Sequence, residues 1–162
     1  MKLLIVRHAI AYPHGTPDYE EDERPLTPEG RRKFERAARG LVKIIGPPDV
    51  LLTSPLPRAR QTAEIAAEAW GGVSPTEEPA LADGDIDAVL RAIDRLPRDA
   101  RIAVVGHEPY VSALLGRLLG VDHTDRLEFR KGGAALVNLP GSAVNGGCLE
   151  WYVRPKILRK LA

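Results

Sequence analysis

The chain begins MKLLIVRHAI (residues 1–10). Leu3 to Val6 form an apolar run of strand length, and Arg7 and His8 follow with no polar spacer. Placing charge at the end of a buried strand is costly unless something there requires it. Two later stretches repeat the arrangement. Val50–Thr53 runs into SPLPRARQTA (residues 54–63), and Arg101–Val105 runs into GHEP (residues 106–109).

Around these stretches the chain alternates between two periods. Strands are predicted at Lys2–Val6, Val50–Thr53, Arg101–Val105, Ala134–Leu139 and Cys148–Val153. The first three are continuous apolar runs, as expected of parallel strands covered on both faces. Between them, Phe34, Ala37, Ala38, Leu41 and Ile45 fall on one face of a helix. Thr27 is placed to cap it, Pro28 suits its first position and Glu29 complements its dipole. Further helices carry Ala59, Ala63, Ala66 and Trp70; Ile86, Val89, Leu90 and Ile93, with Asp85 as cap; and Val111, Leu114, Leu115, Leu118 and Leu119, with Pro109 near the start. This order predicts an α/β fold: a three-layer sandwich with a mostly parallel sheet and helices on both faces. The last two strands are joined through PGSAVNGG (residues 140–147), a hairpin signal that makes an edge strand antiparallel. No linker or repeat divides the sequence, so residues 1–162 read as a single domain.

Composition narrows the function classes. Lys and Arg number 23 against 22 Asp and Glu, a net charge of +1, which gives no general field for nucleic acid. The one cysteine, Cys148, excludes an internal disulfide and fits a reducing compartment. The apolar run before Arg7 is too short for a signal peptide, and no run approaches membrane-spanning length. The expectation is a cytoplasmic, monomeric protein.

If the three strands are parallel neighbours, their carboxyl ends bring Arg7, His8, Arg58 and His107 to one crevice, the usual ligand position in an open α/β sheet. Guanidiniums grip phosphate oxygens without losing charge, and a neutral imidazole is a nucleophile near pH 7. Phosphoryl transfer asks mainly for positioning and charge stabilisation. The pattern therefore predicts a phosphoryl site, with no metal-ligand spacing and no cofactor.

At these residues the sequence resembles the histidine phosphatase superfamily: VRHA at the N-terminus, SPLPRARQTA in the first half and VGHEP in the second. Short length, RPLTPEG (residues 24–30) and the terminal WYVRP make it most similar to SixA-type phosphohistidine phosphatases. The resemblance runs essentially end to end. It implies a Rossmann-like sheet, a metal-independent site, a phosphorylated His8, and phosphoryl binding by Arg7, Arg58 and His107. A phosphohistidine-bearing protein is the implied substrate. Two departures stand out. Ala9 occupies a position where the family usually has glycine. The region that carries a glutamate acid in larger relatives is short here, and Asp83 falls where such an acid would sit. An alkoxide needs a proton to leave, whereas imidazole, with a conjugate-acid pKa of about 6.5, leaves more easily.

Plainer readings remain beside these. His8 alone reads as a satisfied polar residue at a strand end, and Arg60 is a neighbour easily confused with Arg58. Ser54 reads as a turn-shaping residue. The acidic stretch from Asp18 to Glu23 reads as a solvated loop or as a rim that selects partners, and Arg24 as pairing within the fold. His14 and His123 read as surface residues, and Lys156, Arg159 and Lys160 as a solvated terminal helix. Two alternative functions are a phosphatase of small phosphomonoesters with Asp83 as acid, and a non-catalytic phosphate-binding module. A nucleotide-binding module is disfavoured, because neither a dinucleotide fingerprint nor a P-loop follows any strand.

Overall fold

A computed structural model describes residues 1–162. Six strands, β1 (Lys2–Arg7), β2 (Val50–Thr53), β3 (Pro75–Glu77), β4 (Arg101–Gly106), β5 (Ala134–Asn138) and β6 (Cys148–Val153), form one sheet in the order β3-β2-β4-β1-β5-β6. β1 pairs with β4, β4 with β2 and β2 with β3, all in parallel. β5 runs antiparallel to β1 and pairs antiparallel with β6, so antiparallel pairing is confined to this side of the sheet. The strand β3 has no counterpart among the predicted elements. It is short, and its Thr76 and Glu77 are exposed, so no apolar run marks it.

Side-chain alternation along β1 explains the layers. Leu4 and Val6 face α1 (Pro28–Ile44), α2 (Pro57–Ala69) and α6 (Pro155–Leu161), packing with Phe34, Ala38, Ala63 and Leu158. Leu3 and Ile5 face the other way, toward α3 (Ala80–Asp83), α4 (Ile86–Asp94) and α5 (Tyr110–Leu119), where Leu90, Ile93, Leu114 and Leu115 complete the core. Each such large side chain contributes roughly 1.5–3 kcal/mol on burial, which is why β1 carries no polar residue between Leu3 and Val6. The predicted caps form: the Thr27 hydroxyl accepts from the Gly30 N–H, and the Asp85 carboxylate accepts from the Ala88 N–H, each at 2.9 Å. A Cβ on Gly30 would lie 2.0 Å from the Ile10 carbonyl oxygen, so only glycine lets α1 start against the loop after β1.

One topological fact positions the site. The neighbours β1 and β4 send their following helices, α1 and α5, to opposite faces of the sheet. Loops leaving adjacent strands in opposite directions open a crevice at the carboxyl ends. Arg7-His8 and His107 stand at those ends.

Candidate active site

Arg7 is the last residue of β1, in register with Gly106 of β4. The next N–H, that of His8, donates to the Gly106 carbonyl at 2.9 Å, and Ser54 N–H donates to the Val105 carbonyl at 3.0 Å. Three strand ends are thus laced together by backbone hydrogen bonds. Arg58 follows as the second residue of α2. Arg7, His8, Arg58 and His107 line one crevice of about 360 Å³. The histidine ring centroids are 5.0 Å apart.

The loop that presents His8 is held from several sides. Gly132 N–H donates to the carbonyls of both Arg7 and His8, and Gly132 reaches them with a φ of +80°, a conformation that favours glycine. Ala9 N–H donates to the Thr62 hydroxyl at 3.0 Å, and that hydroxyl donates in turn to the Arg58 carbonyl. Ala9 is buried and has no positive φ, so the position tolerates a methyl group without strain.

Both imidazoles are neutral near pH 7. Burial pushes His8 well below the ordinary histidine value; any charge gained by His107 and the charges of Arg58 and Arg7 lower it further, while the bond to the Ala9 carbonyl works against them. Burial likewise brings His107 down to about 3, with Arg58, Arg7 and Arg24 adding to the effect. His8 Nδ1 lies 2.7 Å from the carbonyl oxygen of Ala9, which can only accept. Nδ1 therefore carries the proton and Nε2 keeps its lone pair, the arrangement a nucleophile needs. His107 Nε2 lies 2.7 Å from the Ser54 hydroxyl, whose oxygen also accepts from Leu56 N–H at 3.3 Å. With Ser54 donating to Nε2, His107 Nδ1 becomes a donor. That atom and Arg7 Nε are buried polar atoms without a protein partner.

The cations are only partly answered. Arg24 is 5% exposed and pairs with the Glu21 carboxylate while donating to the Glu21 and Tyr12 carbonyls. Arg58, 8% exposed, makes a single hydrogen bond of 3.4 Å to the Glu21 carbonyl, and Arg7 donates to the Phe129 carbonyl. Neither Arg7 nor Arg58 has an ion pair within the protein. Burial lowers both below the ordinary arginine value. A tetrahedral oxyanion has the acceptors that these guanidiniums lack.

The remaining residues singled out in the sequence fall partly where it placed them and partly elsewhere. Asp83 ends α3, is exposed and is not among the crevice-lining residues. The short α3 turns it toward solvent, so the structure does not bring this carboxyl to the other four residues. Glu108 does line the crevice, but its Oε1 accepts from Ser112 Oγ at 2.6 Å and from Phe129 N–H at 2.7 Å. Arg60 stays outside, near Glu64 and Glu77. Arg24 pairs within the fold as expected and also lines the crevice. His14 is exposed, yet it stands at the mouth beside Glu21. Lys131 lines the crevice as well; no motif marked it, since it lies 124 positions after Arg7 and reaches the site only through the β1–β5 pairing. The acidic loop is not wholly solvated, because Glu21 bridges Arg24, His14 and Arg58. No group of three or more His, Cys, Asp or Glu side chains is arranged to hold a metal ion, and no helix is long and apolar enough to cross a membrane.

Known proteins resemble this chain in sequence and in fold. The sequence profile of the histidine phosphatase superfamily (branch 1) matches residues 3–88, which include Arg7, His8 and Arg58. An uncharacterized protein of Picosynechococcus sp. is 41% identical over 113 residues, 67% of each chain. One of Mycobacterium tuberculosis is 32% identical over 154 residues, covering 88% of this chain and 94% of its own. Among solved structures, the protein histidine phosphatase SixA complexed with tungstate aligns with a TM-score of 0.83 at 26% identity, covering 98% of this chain and 99% of that one. With a matching profile over more than half its length and a SixA-like fold around two imidazoles and two guanidiniums, the chain belongs to the histidine phosphatase superfamily.

Proposed function

We propose that the protein is a metal-independent phosphohistidine phosphatase in which His8 takes the phosphoryl group. Arg7, Arg58 and His107 hold the phosphoryl oxygens. The lone pair on His8 Nε2 attacks phosphorus in line with the departing group. The P–N bond of the substrate then breaks, and its ring, already protonated at the second nitrogen, departs as neutral imidazole. Water next attacks the phosphorylated His8, releasing inorganic phosphate and restoring the imidazole. Fixed guanidiniums stabilise charge throughout, without reorganising.

One observation carries the choice of substrate. The single carboxyl lining the crevice, Glu108, is anchored by Ser112 and Phe129 through Oε1 with Oε2 free of protein hydrogen bonds, and Asp83 is exposed and not among the lining residues. The crevice thus offers one carboxyl, already held in place through Oε1, and a leaving group that asks least of an enzyme acid fits best. Similarity to SixA, a protein histidine phosphatase, supports the same reading.

The test pairs trapping with substrate preference. Protein mixed with a radiolabelled phosphohistidine peptide and quenched in alkaline denaturant retains base-stable, acid-labile label on His8. The His8→Ala variant retains none, and its turnover falls by more than about a thousandfold. A clear preference for sugar phosphates over the phosphohistidine peptide overturns the substrate assignment. Full turnover without any label overturns the mechanism.

A further inference from the structure

The crevice continues past Arg7. A second depression of about 420 Å³ shares Arg7 and Lys131 with it and is lined further by Lys33 of α1, Arg130 and Arg159 of α6. Five cations face this depression against a single carboxylate, Glu128, which approaches Arg130 only to 4.0 Å. Lys33 pairs along its own helix with Glu29, whereas Lys131 and Arg159 have no ion pair. Partial burial lowers Lys131 below the ordinary lysine value, and the positive charges of Arg7, Arg24 and Arg58 lower it further; Arg7 and Lys131 line both depressions and so join their charge. This concentration is local. The chain as a whole carries 23 − 22 = +1, and the acidic residues Asp18 to Glu23 cluster in another loop, the one that pairs with Arg24.

Taking the chain as a phosphohistidine hydrolase, we propose that this basic shelf docks a carboxylate-rich surface flanking the phosphohistidine of a partner protein. A lone phosphoryl group is already served by the crevice and leaves the shelf unused. Carboxylates spaced along a polypeptide match cations drawn from α1, α6 and the segment before β5, and they do so while the modified ring enters beside Arg7. Exposed pairs of this kind add little affinity singly, but together they steer encounter and select partners by charge.

The test uses two phosphohistidine peptides, one with glutamate-rich flanks and one with serine-rich flanks. In the Arg130→Glu/Arg159→Glu variant, kcat/KM for the acidic peptide falls by about tenfold or more, chiefly through KM. The serine-flanked peptide and free phosphoramidate change by less than about twofold. The milder Arg130→Gln/Arg159→Gln variant falls between, and melting temperatures of both variants verify folding. Fluorescence anisotropy with an unphosphorylated, fluorescein-labelled glutamate-rich peptide reports docking without any turnover. Failure of the catalytic reading and failure of the docking reading are therefore separable. Equal loss on both peptides, an unchanged preference for acidic flanks, or stronger displacement of the labelled peptide by a polynucleotide of matched charge each overturns the proposal.

Discussion

Arg24 and Arg58 line the same crevice and are almost equally buried, yet their surroundings differ. Arg24 sits on the loop side, where Glu21 and two backbone carbonyls answer its charge. Arg58 sits on the strand-end side with a single long hydrogen bond and no carboxylate. A buried cation with its partners built in serves the fold; removing it leaves the carbonyls it satisfied without their donor. One without partners costs stability and is retained for what arrives from outside. The contrast separates the structural cation from the ligand-seeking one more cleanly than burial does.

Substitution at both positions is the most direct way to break that contrast. Arg58→Ala lowers kcat/KM by about a thousandfold with little loss of stability, and it abolishes the rise in melting temperature that tungstate gives the unmodified protein. Arg24→Ala instead destabilises by about 1–2 kcal/mol, through lost packing and the hydrogen bonds to the Glu21 and Tyr12 carbonyls, measured by urea unfolding. If the two variants lose equal stability, the distinction fails.

Acidification sharpens it through the histidines. His8 and His107 titrate below the ordinary value when folded, while the unfolded chain binds protons at about pH 6.5. The unfolded state therefore holds more protons below about pH 6.5, so stability falls as pH drops from there toward the folded value of about 3 for His107. The slope approaches about 1.4 kcal/mol per pH unit for each histidine. Inorganic phosphate, by supplying the counter-charge, flattens the slope. A flat profile without phosphate refutes the burial of these rings in their neutral form.

Smaller effects come from residues that act through others or stand apart. Ser54→Ala frees His107 Nε2, lowers kcat about tenfold and leaves KM within about twofold, since Ser54 positions a ring and does not touch substrate. Asp83→Asn changes kcat/KM by less than about twofold for a phosphohistidine peptide. A large loss there would place the carboxyl in the reaction after all.

What could be seen in the sequence follows from how local its signals are. Continuous apolar runs marked three strands and a hairpin signal joined two more, Thr27 and Asp85 announced their caps, and the polar pair Arg7-His8 at the end of β1 announced the crevice. All of these are written within a few consecutive residues. The features that escaped depend on pairings between distant segments. The edge strand β3 has no apolar run to reveal it. Lys131 arrives because β5 pairs with β1, and the Ser54–His107 hydrogen bond joins the ends of β2 and β4. Glu21 is one acid in an acidic run; Arg24 lies only three residues on, but the contacts to His14 and Arg58 depend on how the loop folds back. The Asp83 expectation rested on loop length alone, and a single helical turn redirected the side chain.

The hydrogen bond between His8 Nδ1 and the carbonyl of its neighbour fixes more than a tautomer. Only one ring nitrogen remains open to phosphorus, so the adduct that the proposed mechanism forms on His8 is the tele isomer of phosphohistidine, and a pros isomer would contradict it. Phosphorus NMR of the trapped protein distinguishes the two by chemical shift, which makes the regiochemistry of a fleeting adduct a direct readout of one short contact in the resting protein.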